Sequence, residues 1–488
     1  MGTGILRTKS IERALAGREA PEYRLKRNLS ALDLTVFGVG VVIGAGIFTV
    51  AGKAASVHAG PAVMLSFVLA ALCCTLAALC YAEFAASVPL SGSAYTFSYV
   101  ALGELVAWII GWDLMLELAL AAAVVAQGWG VYLEIFLGQL GIALPTAISP
   151  QSPQALFNLP AFALVAVLTA LVAYGIKESL RVNLVLVVIK VGIVLFVILA
   201  GIRFIDPANY SPFIPPSAPA PATTGGVHAP LLQLLFGVQP TMFGVSGIFS
   251  GAALVVFAFL GFDVVATTAE EARRPQRDLP IGIIASLAIC TVLYVGVGVV
   301  LTGMQPYTQI ATSGAMAQAF NAVGKPGYAT VISAGAVIGL ATVVMTALIG
   351  ASRVLFAMSR DRLLPPALGR THPRTGTPLR LTVGLGVVVA LVAAFTPVGE
   401  LEEMVNIGTL AAFLLVSLSV PVLRRRRPDL QRPFKVPLSP WLPWLSAVAC
   451  ALLMLNLSGL TWIRFMVWLA AGLAVYALYG YRRARRPP

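Results

Sequence analysis

Charged residues are scarce in this chain: aspartate, glutamate, lysine and arginine together make up 11% of its 488 residues. A typical soluble protein carries about 25%. Hydrophobic residues instead account for 58% of the chain, and the mean hydropathy is +0.89. So few charges cannot cover a water-soluble domain, and no hydrophilic stretch is long enough to form one. The composition therefore predicts a polytopic membrane protein.

Histidine and cysteine are also rare. The three histidines, His58, His228 and His372, are far apart in the sequence and show no metal-ligand spacing. No nucleophile is paired with a histidine at membrane depth, which argues against a membrane-embedded enzyme. The five cysteines all lie in apolar runs, where a thiol is a small buried hydrophobe rather than half of a disulfide. We therefore expect no metal, no cofactor and no catalytic centre.

Long apolar runs dominate what remains. A helix needs about 20 predominantly apolar residues to span a bilayer. The third and eighth runs are longer than this, which predicts tilted helices that extend beyond the membrane. Twelve segments reach spanning length: 32–56, 61–87, 101–136, 156–175, 180–203, 246–270, 280–303, 327–358, 380–397, 401–423, 440–458 and 461–481.

Lysine and arginine are distributed unevenly between the connecting stretches. Of the 33 lysine and arginine residues, 28 fall in the two tails or at the loops after segments 4, 6, 8 and 10. With twelve spans, all of these stretches lie on one side of the membrane. Such an excess marks the cytoplasmic side, so we expect a multi-pass protein of the cell (plasma) membrane with both termini cytoplasmic. The basic N-terminal tail shows no signal-peptide cleavage site. The net charge of +13 then reflects topology and lipid contact, not nucleic-acid binding.

Two of the predicted spans are interrupted. The first contains Gly44 and Gly46, each about 1 kcal/mol less favourable in a helix than alanine, and the sixth is interrupted at 257–263. Irregular backbone at membrane depth survives where it lines a cavity, and half-helix N-termini there attract anions. Because the breaks are five spans apart, the second half enters the membrane from the opposite side, as an inverted repeat. A close helix–helix contact through small residues is the alternative explanation of the two glycines.

Several ionisable residues fall inside predicted spans, where an unpaired charge is costly. Lys190 lies in the middle of the fifth segment and is either a proton carrier or a permanent structural cation. Asp113 and Glu117 are four residues apart and share one helix face, so either could neutralise Lys190 or accept a substrate cation. We favour the balancing role for Glu117 and an interfacial position for Asp113. Asp263 is expected to cap the half-helix after the break, and Glu83 to be a structural or gating residue.

These residues belong to an ordered set of motifs that covers nearly the whole chain. The motifs are Gly44-Ala45-Gly46-Ile47-Phe48, Tyr81-Ala82-Glu83-Phe84, Gly92-Ser93-Ala94-Tyr95, Gly111-Trp112-Asp113, Lys190, Gly261-Phe262-Asp263 with Glu270-Glu271, and Arg353 with Ala357-Met358-Ser359-Arg360-Asp361. With these motifs in this order, the sequence resembles the amino acid–polyamine–organocation transporters, specifically the bacterial form of the cationic amino acid transporter branch. The resemblance implies an all-α membrane protein with twelve transmembrane helices, in which a five-plus-five inverted repeat with broken helices 1 and 6 is followed by two more helices.

Together the spans and the resemblance divide the chain into five parts. Residues 1–31 form a cytoplasmic N-terminal segment, 32–203 the first repeat and 204–245 an extracellular loop. Residues 246–423 form the second repeat, and 424–488 a cytoplasmic loop, helices 11 and 12 and a basic tail.

The resemblance also implies a substrate site between the two breaks. The substrate carboxylate would lie on N–H groups of the first break, and the ammonium would meet backbone carbonyls of both breaks. Small Ala347 would lie near the substrate side chain, and Lys190 would replace the sodium ion of sodium-coupled relatives as the proton-coupling group. The implied carboxylate site is Gly44, Ala45 and Gly46, and the implied ammonium site is Val42, Ile43, Phe257, Ala258 and Leu260.

One departure concerns Ala45, since many family members carry threonine or serine at this position. The missing hydroxyl removes one hydrogen bond, worth about 1 kcal/mol, and leaves the backbone donor in place. We expect an amino acid permease that imports L-amino acids by alternating access, coupled to protons and not to sodium. A cationic substrate such as arginine or lysine is the alternative, because Glu117 lies near the expected site. A membrane-embedded enzyme and a channel are remote alternatives, and a small accessory membrane subunit is left open by the resemblance.

Overall fold

The computed structural model describes residues 29–44, 46–88, 93–152, 154–175, 180–219, 226–237, 239, 241–269, 271–372 and 377–481. Ala45, most of the predicted N-terminal segment and the basic C-terminal tail lie outside these residues. The described part is mainly helical, with a single two-residue antiparallel strand pair, β1 (Ala218–Pro219) and β2 (Thr241–Met242), in the predicted extracellular loop.

Helices of eight or more residues are numbered α1 to α14 along the described chain. They are α1 (Ala31–Val42), α2 (Val63–Ser87), α3 (Ser93–Ala101), α4 (Glu104–Gln139), α5 (Leu159–Ala173), α6 (Leu180–Gly201), α7 (Gly244–Val255), α8 (Pro275–Met304), α9 (Ala315–Ala322), α10 (Pro326–Arg360), α11 (Leu379–Phe395), α12 (Val398–Arg426), α13 (Trp441–Leu455) and α14 (Gly459–Val475).

Local sequence explains several helix ends. At α1, the Ser30 hydroxyl accepts from the Asp33 N–H at 3.3 Å while the Asp33 carboxylate accepts from the Ser30 N–H at 2.8 Å, a capping box. Ser458 caps α14 in a similar way through the N–H of Thr461. Proline stands at the first position of α8 and of α10, where its missing N–H would have had no helical partner.

The order of long and short helices repeats along the chain. A broken helix, a long helix, a short helix and a very long helix come first as α1 to α4 and again as α7 to α10. The very long members, α4 with 36 residues and α10 with 35, confirm the predicted length of the third and eighth segments. The short members, α3 and α9, were not predicted from the sequence because each has fewer than ten residues, too few for a membrane span.

Eight apolar helical runs among the described residues are long enough to cross a membrane. The first of them, Ala31–Ser87, covers the first two predicted segments, which a turn at Gly60 separates. Three apolar helices, α5, α11 and α13, have 15 to 17 residues. At 1.5 Å per residue they reach at most about 26 Å, short of a hydrocarbon core of about 30 Å. The chain is a multi-pass membrane protein, and these helices need flanking residues or a locally thinner bilayer to span.

The two very long helices form the centre of the helix packing. α4 packs along α10, while α8 packs against both α1 and α2. α5 packs against α11, and α12 contacts α4 and α13. Large apolar side chains such as Val188 and Leu199 on α6 and Val292 on α8 are exposed, as expected of surfaces that face lipid. The residues at the two breaks, such as Ile43 and Ala258, are buried within this packing.

Candidate functional site

The first break lies where the sequence predicts it. α1 ends at Val42, and the Ile43 N–H donates to the Val39 carbonyl at 2.8 Å. Helical structure resumes at Gly46 as a π-helical turn, Gly46–Val50. The first N–H groups of a helix have no partner within it and carry partial positive charge. The turn that starts at Gly46 therefore presents donors suited to an anion.

The second break follows α7. The chain tightens into a 3-10 turn at Val256–Phe259 and resumes as a short helix at Val264–Thr267. Between them Gly261 has a φ of +115°, a conformation that a residue with a Cβ rarely adopts. The carbonyl groups that the interruption leaves without helical partners are suited to a cation.

The two breaks are in contact. A Cβ built on Gly46 would lie 1.9 Å from the Cα of Ala258, and one built on Gly261 would lie 2.6 Å from Cγ1 of Val41. Glycine is therefore required at these two positions for the half-helices to approach one another. The close contact that we weighed as an alternative for the first glycines is present at Gly46, in addition to the break.

A small cavity lies between the two breaks and the facing sides of α4 and α10. None of its described lining residues is charged, and the Thr346 hydroxyl donates to the Thr342 carbonyl of its own helix at 2.9 Å. The lining residues are Val41, Val42, Gly44, Gly46, Leu118, Ala121, Val125, Phe257, Leu260, Val264, Val343, Thr346 and Ala347.

The structure brings part of the expected substrate site together at this cavity. Ile43 is buried but does not line it, Ala258 packs against Gly46, and Glu117 lies outside the lining. Ala45 lies outside the described residues. The expected residues that do line the cavity are Val42, Gly44, Gly46, Phe257, Leu260 and Ala347.

One expected ammonium acceptor already has a partner. The hydroxyl of Tyr294 on α8 donates to the Val42 carbonyl at 2.6 Å. A carbonyl oxygen has two lone pairs, so it can accept a second donor from a ligand. Tyr294 is fully buried and fixes the end of α1 beside the cavity.

Sequence reasoning missed most of the two helix faces that close the cavity. Leu118, Ala121 and Val125 on α4 are spaced at i, i+3 and i+7, and Val343 and Ala347 on α10 at i and i+4. These spacings place each set on one helix face. The helical period around Ala347 was the available signal, but the face of α4 could not be chosen without knowing its partner.

Lys190 connects three helices. Its Nζ donates to the Gly40 carbonyl near the end of α1 at 2.6 Å, and its stem packs on Gly339 of α10, where a Cβ would lie 2.9 Å from Cγ of the lysine. The side chain is 3% exposed. Lys190 therefore lies between the first and eighth predicted segments, the position that the resemblance implies.

Comparisons with known proteins identify the family of this chain. The family model described as amino acid permease matches residues 29–478. The chain belongs to the amino acid permease family. This confirms the resemblance that the motifs indicate, and it makes the protein a transporter and not an enzyme.

Relatives of the permease are named for different substrates. It is 45% identical over 492 residues to the branched-chain amino acid permease BcaP of Bacillus subtilis, with 99% of each chain covered. It is 43% identical over 485 residues to a methylthioribose transporter of the same organism, again over 99% of each chain. It is 36% identical over 428 residues to the vacuolar cationic amino acid transporter 4 of Arabidopsis thaliana, covering 87% of the permease and 68% of the relative.

Glu83 of the permease is held in an ion pair. Its carboxylate accepts from Nε and Nη2 of Arg424 at 2.8 and 2.5 Å and from the Val436 N–H at 2.7 Å. Nε of Arg432 lies 3.7 Å away. These contacts tie the end of α2 to the end of α12 and the loop that follows it, which agrees with a structural or gating position.

Two acidic residues of α4 differ from expectation. Asp113, expected at the interface, is 2% exposed, and Glu117 is 1% exposed with neither carboxylate oxygen hydrogen-bonded within the described residues. Glu117 is therefore not bonded to Lys190, contrary to the balancing role that we favoured from sequence. Asp263 stands at the start of Val264–Thr267 without a standard side-chain helix cap, but its carboxylate accepts hydrogen bonds from backbone N–H groups there, that of Val264 among them, which agrees with the expected capping position.

Proposed function

We propose that the permease imports L-amino acids with aliphatic side chains, branched-chain amino acids above all. The cavity wall carries this proposal, because the side chains of its described residues are aliphatic or aromatic apart from one hydroxyl, and none of them is charged. An apolar wall favours burial of an aliphatic group and penalises an unpaired ammonium or guanidinium. The branched-chain permease among the relatives supports the same substrate class.

The two breaks supply groups for the common part of an amino acid. We place the carboxylate on the N–H groups around Gly44, Ala45 and Gly46, and the ammonium against carbonyls of Ile43 and of the break after α7. Half-helix N-termini stabilise anions and unwound carbonyls stabilise cations, which supports this orientation. The substrate side chain then points between α4 and α10, toward Ala121 and Ala347.

Alternating access is the mechanism we propose for this site. The repeated helix order of α1–α4 and α7–α10 supports a five-plus-five inverted repeat, followed by two helices, α13 and α14. Such repeats move against each other around a central site. We place the protein in the cell membrane with both termini cytoplasmic, on the evidence of the basic loops.

Proton coupling is assigned to Lys190. The lysine joins α1 to α10, so its charge state affects the position of the first break relative to the cavity wall. A charged Nζ holds the Gly40 carbonyl strongly, whereas a neutral amine holds it weakly. No cofactor is required, since the proton is the coupling ion.

A cationic substrate is the second candidate. Glu117 precedes Ala121 of the cavity wall by four residues on α4, a rise of about 6 Å along the helix. The plant cationic amino acid transporter among the relatives supports this alternative. A long cationic side chain would have to pass Leu118 to reach the carboxylate.

A binding panel decides between these substrates. We expect leucine, isoleucine and valine to raise the unfolding temperature of the purified protein and to exchange in counterflow, with arginine and lysine inactive. Ala347→Leu should weaken leucine binding about tenfold or more and alanine binding less, since one misfitting methylene is worth about 1–3 kcal/mol. Stabilisation by arginine that Glu117→Gln removes would instead support the cationic alternative.

Coupling is tested in liposomes. We expect accumulation to rise with an inward proton gradient and to be unchanged when sodium replaces potassium. Lys190→Ala should lose gradient-driven accumulation. Uptake that depends on sodium and not on the proton gradient would contradict this assignment, as would accumulation by Lys190→Ala at the wild-type level.

A further inference from the structure

Glu117 and Asp113 face an unusually polar part of the helix interior. Both lie on α4, where it packs against α12, and a Cβ built on Gly408 of α12 would be 2.8 Å from Oδ1 of Asp113 and 3.8 Å from Cβ of Glu117. Both Glu117 oxygens and Oδ1 of Asp113 are buried and accept no hydrogen bond within the described residues. Ionised, each would be a buried charge without a partner at that atom.

The neighbouring groups do not compensate such a charge. Asp263 and Asp113 are the charged groups that act on Glu117, and the phenol of Tyr81 on α2 is under the influence of all three carboxyls. From α12, the Thr409 hydroxyl is buried beside Glu117, and Asn406 Oδ1 is buried without a hydrogen bond. In the part of the chain that is described, no ion pair involves Asp113 or Glu117.

The free-energy cost of ionisation decides whether the buried carboxyl of Glu117 is protonated or ionised. An isolated carboxylate in an apolar interior is destabilised by many kcal/mol, whereas a protonated carboxyl is neutral and gains an O–H donor. The Thr409 Oγ1 atom, which lies beside Glu117, is an acceptor that such a donor can use. The geometry therefore fits a carboxylic acid better than a carboxylate.

A metal cation fits less well than a proton. Hard cations need several oxygen ligands around one point. Among the described residues no group of three or more histidine, cysteine, aspartate or glutamate side chains is placed to hold a metal ion. A proton needs a single carboxyl oxygen.

We propose that Glu117 is a proton-binding site of the transport cycle, protonated in this conformation and ionised when α4 and α12 separate. In the release step the O–H bond breaks, the proton passes to a water molecule admitted through the cavity, and the electron pair stays on the carboxylate. Ala121, one turn further along the same face of α4, lines the cavity and marks the route for water. This proposal rests on the proposed transport function and adds a second titratable group to Lys190.

The test uses the full-length protein in liposomes with Glu117→Gln, which keeps the size of the side chain and removes its titration. Glu104→Gln is the matched control, because Glu104 is a buried glutamate of the same helix that accepts from Tyr99 at 3.1 Å and from Tyr476 at 2.8 Å. Leucine counterflow at equal pH measures binding and exchange, and leucine accumulation under a proton gradient measures coupling.

We expect Glu117→Gln to retain leucine counterflow, but the counterflow rate should no longer depend on pH. Under the proton gradient, this variant should accumulate at least about tenfold less leucine than the wild type. Glu104→Gln should keep the pH profile of the wild type. Gradient-driven accumulation and an unchanged pH profile in Glu117→Gln would overturn the proposal. So would loss of counterflow by a folded Glu117→Gln, since that would make Glu117 a substrate ligand. Absence of leucine counterflow in the wild type would instead contradict the proposed function.

Discussion

Single residues at the two breaks determine how closely the half-helices approach. Gly46 meets the backbone of Ala258, whereas Gly44 faces a movable side chain, with Cγ1 of Val343 at 3.0 Å from a built Cβ. The same substitution therefore has different consequences two residues apart. A clash with backbone has to move an element, while a clash with a side chain can be relieved by a rotamer change.

Substitution of these glycines tests that difference. We expect Gly46→Ala to lower stability by about 1–3 kcal/mol or more, as overpacking does, and to abolish leucine binding. Gly44→Ala should unfold close to the wild-type temperature and bind leucine more weakly. Thermal unfolding and counterflow measure the two effects, and normal binding by Gly46→Ala would contradict the packing of the breaks.

Ion pairs connect helices at the level of elements. Lys53, after the first break, pairs with Glu402 near the start of α12 at 2.9 Å. Near the other end of α12, Arg424 pairs with Glu83 of α2. α12 is thus tied at both ends to elements of the first half of the chain. Because Glu402 and Glu83 are each about 5% exposed or less, loss of either partner leaves a poorly solvated charge.

Removal of the Glu83 contact should measurably destabilise the helix packing. We expect Glu83→Ala to lower the free energy of unfolding by up to about 3 kcal/mol, below the fully buried case because Arg424 is 26% exposed. Asp429→Asn is the control, since its pair with Arg427 is largely exposed and worth about 1 kcal/mol or less. Thermal unfolding in detergent compares them, and equal effects of the two variants would refute the structural role of Glu83.

Orientation in the membrane belongs to the whole molecule. All five cysteines are free and buried, so a cysteine introduced at an exposed position should react alone with a membrane-impermeant thiol reagent. Gln154 lies in the loop after α4, expected outside, and Asp429 in the loop after α12, expected inside. Labelling of Gln154→Cys in intact cells, and of Asp429→Cys only after permeabilisation, is the expected result. The reverse pattern would place the termini outside.

The sequence by itself determined which long segments form helices and where two of those helices are interrupted. Apolar runs, glycines at 44 and 46 and the interruption after Val255 act locally, through hydrophobicity and backbone propensity. The ordered motifs also indicated the family, which the comparisons confirm. Short helices such as α3 and α9 were not predicted from the sequence, because they are shorter than a helix that spans a bilayer.

Only the tertiary structure decided which faces meet. That Leu118 and Thr346 face one cavity, and that Gly46 meets Ala258, depends on the packing of elements far apart in the chain. The partner of a buried charge follows the same rule: Lys190 meets a carbonyl of α1, while the Glu117 carboxyl meets no donor within the described residues. Sequence shows that a charge enters the membrane, but the cost of that charge depends on neighbours that packing alone brings to it.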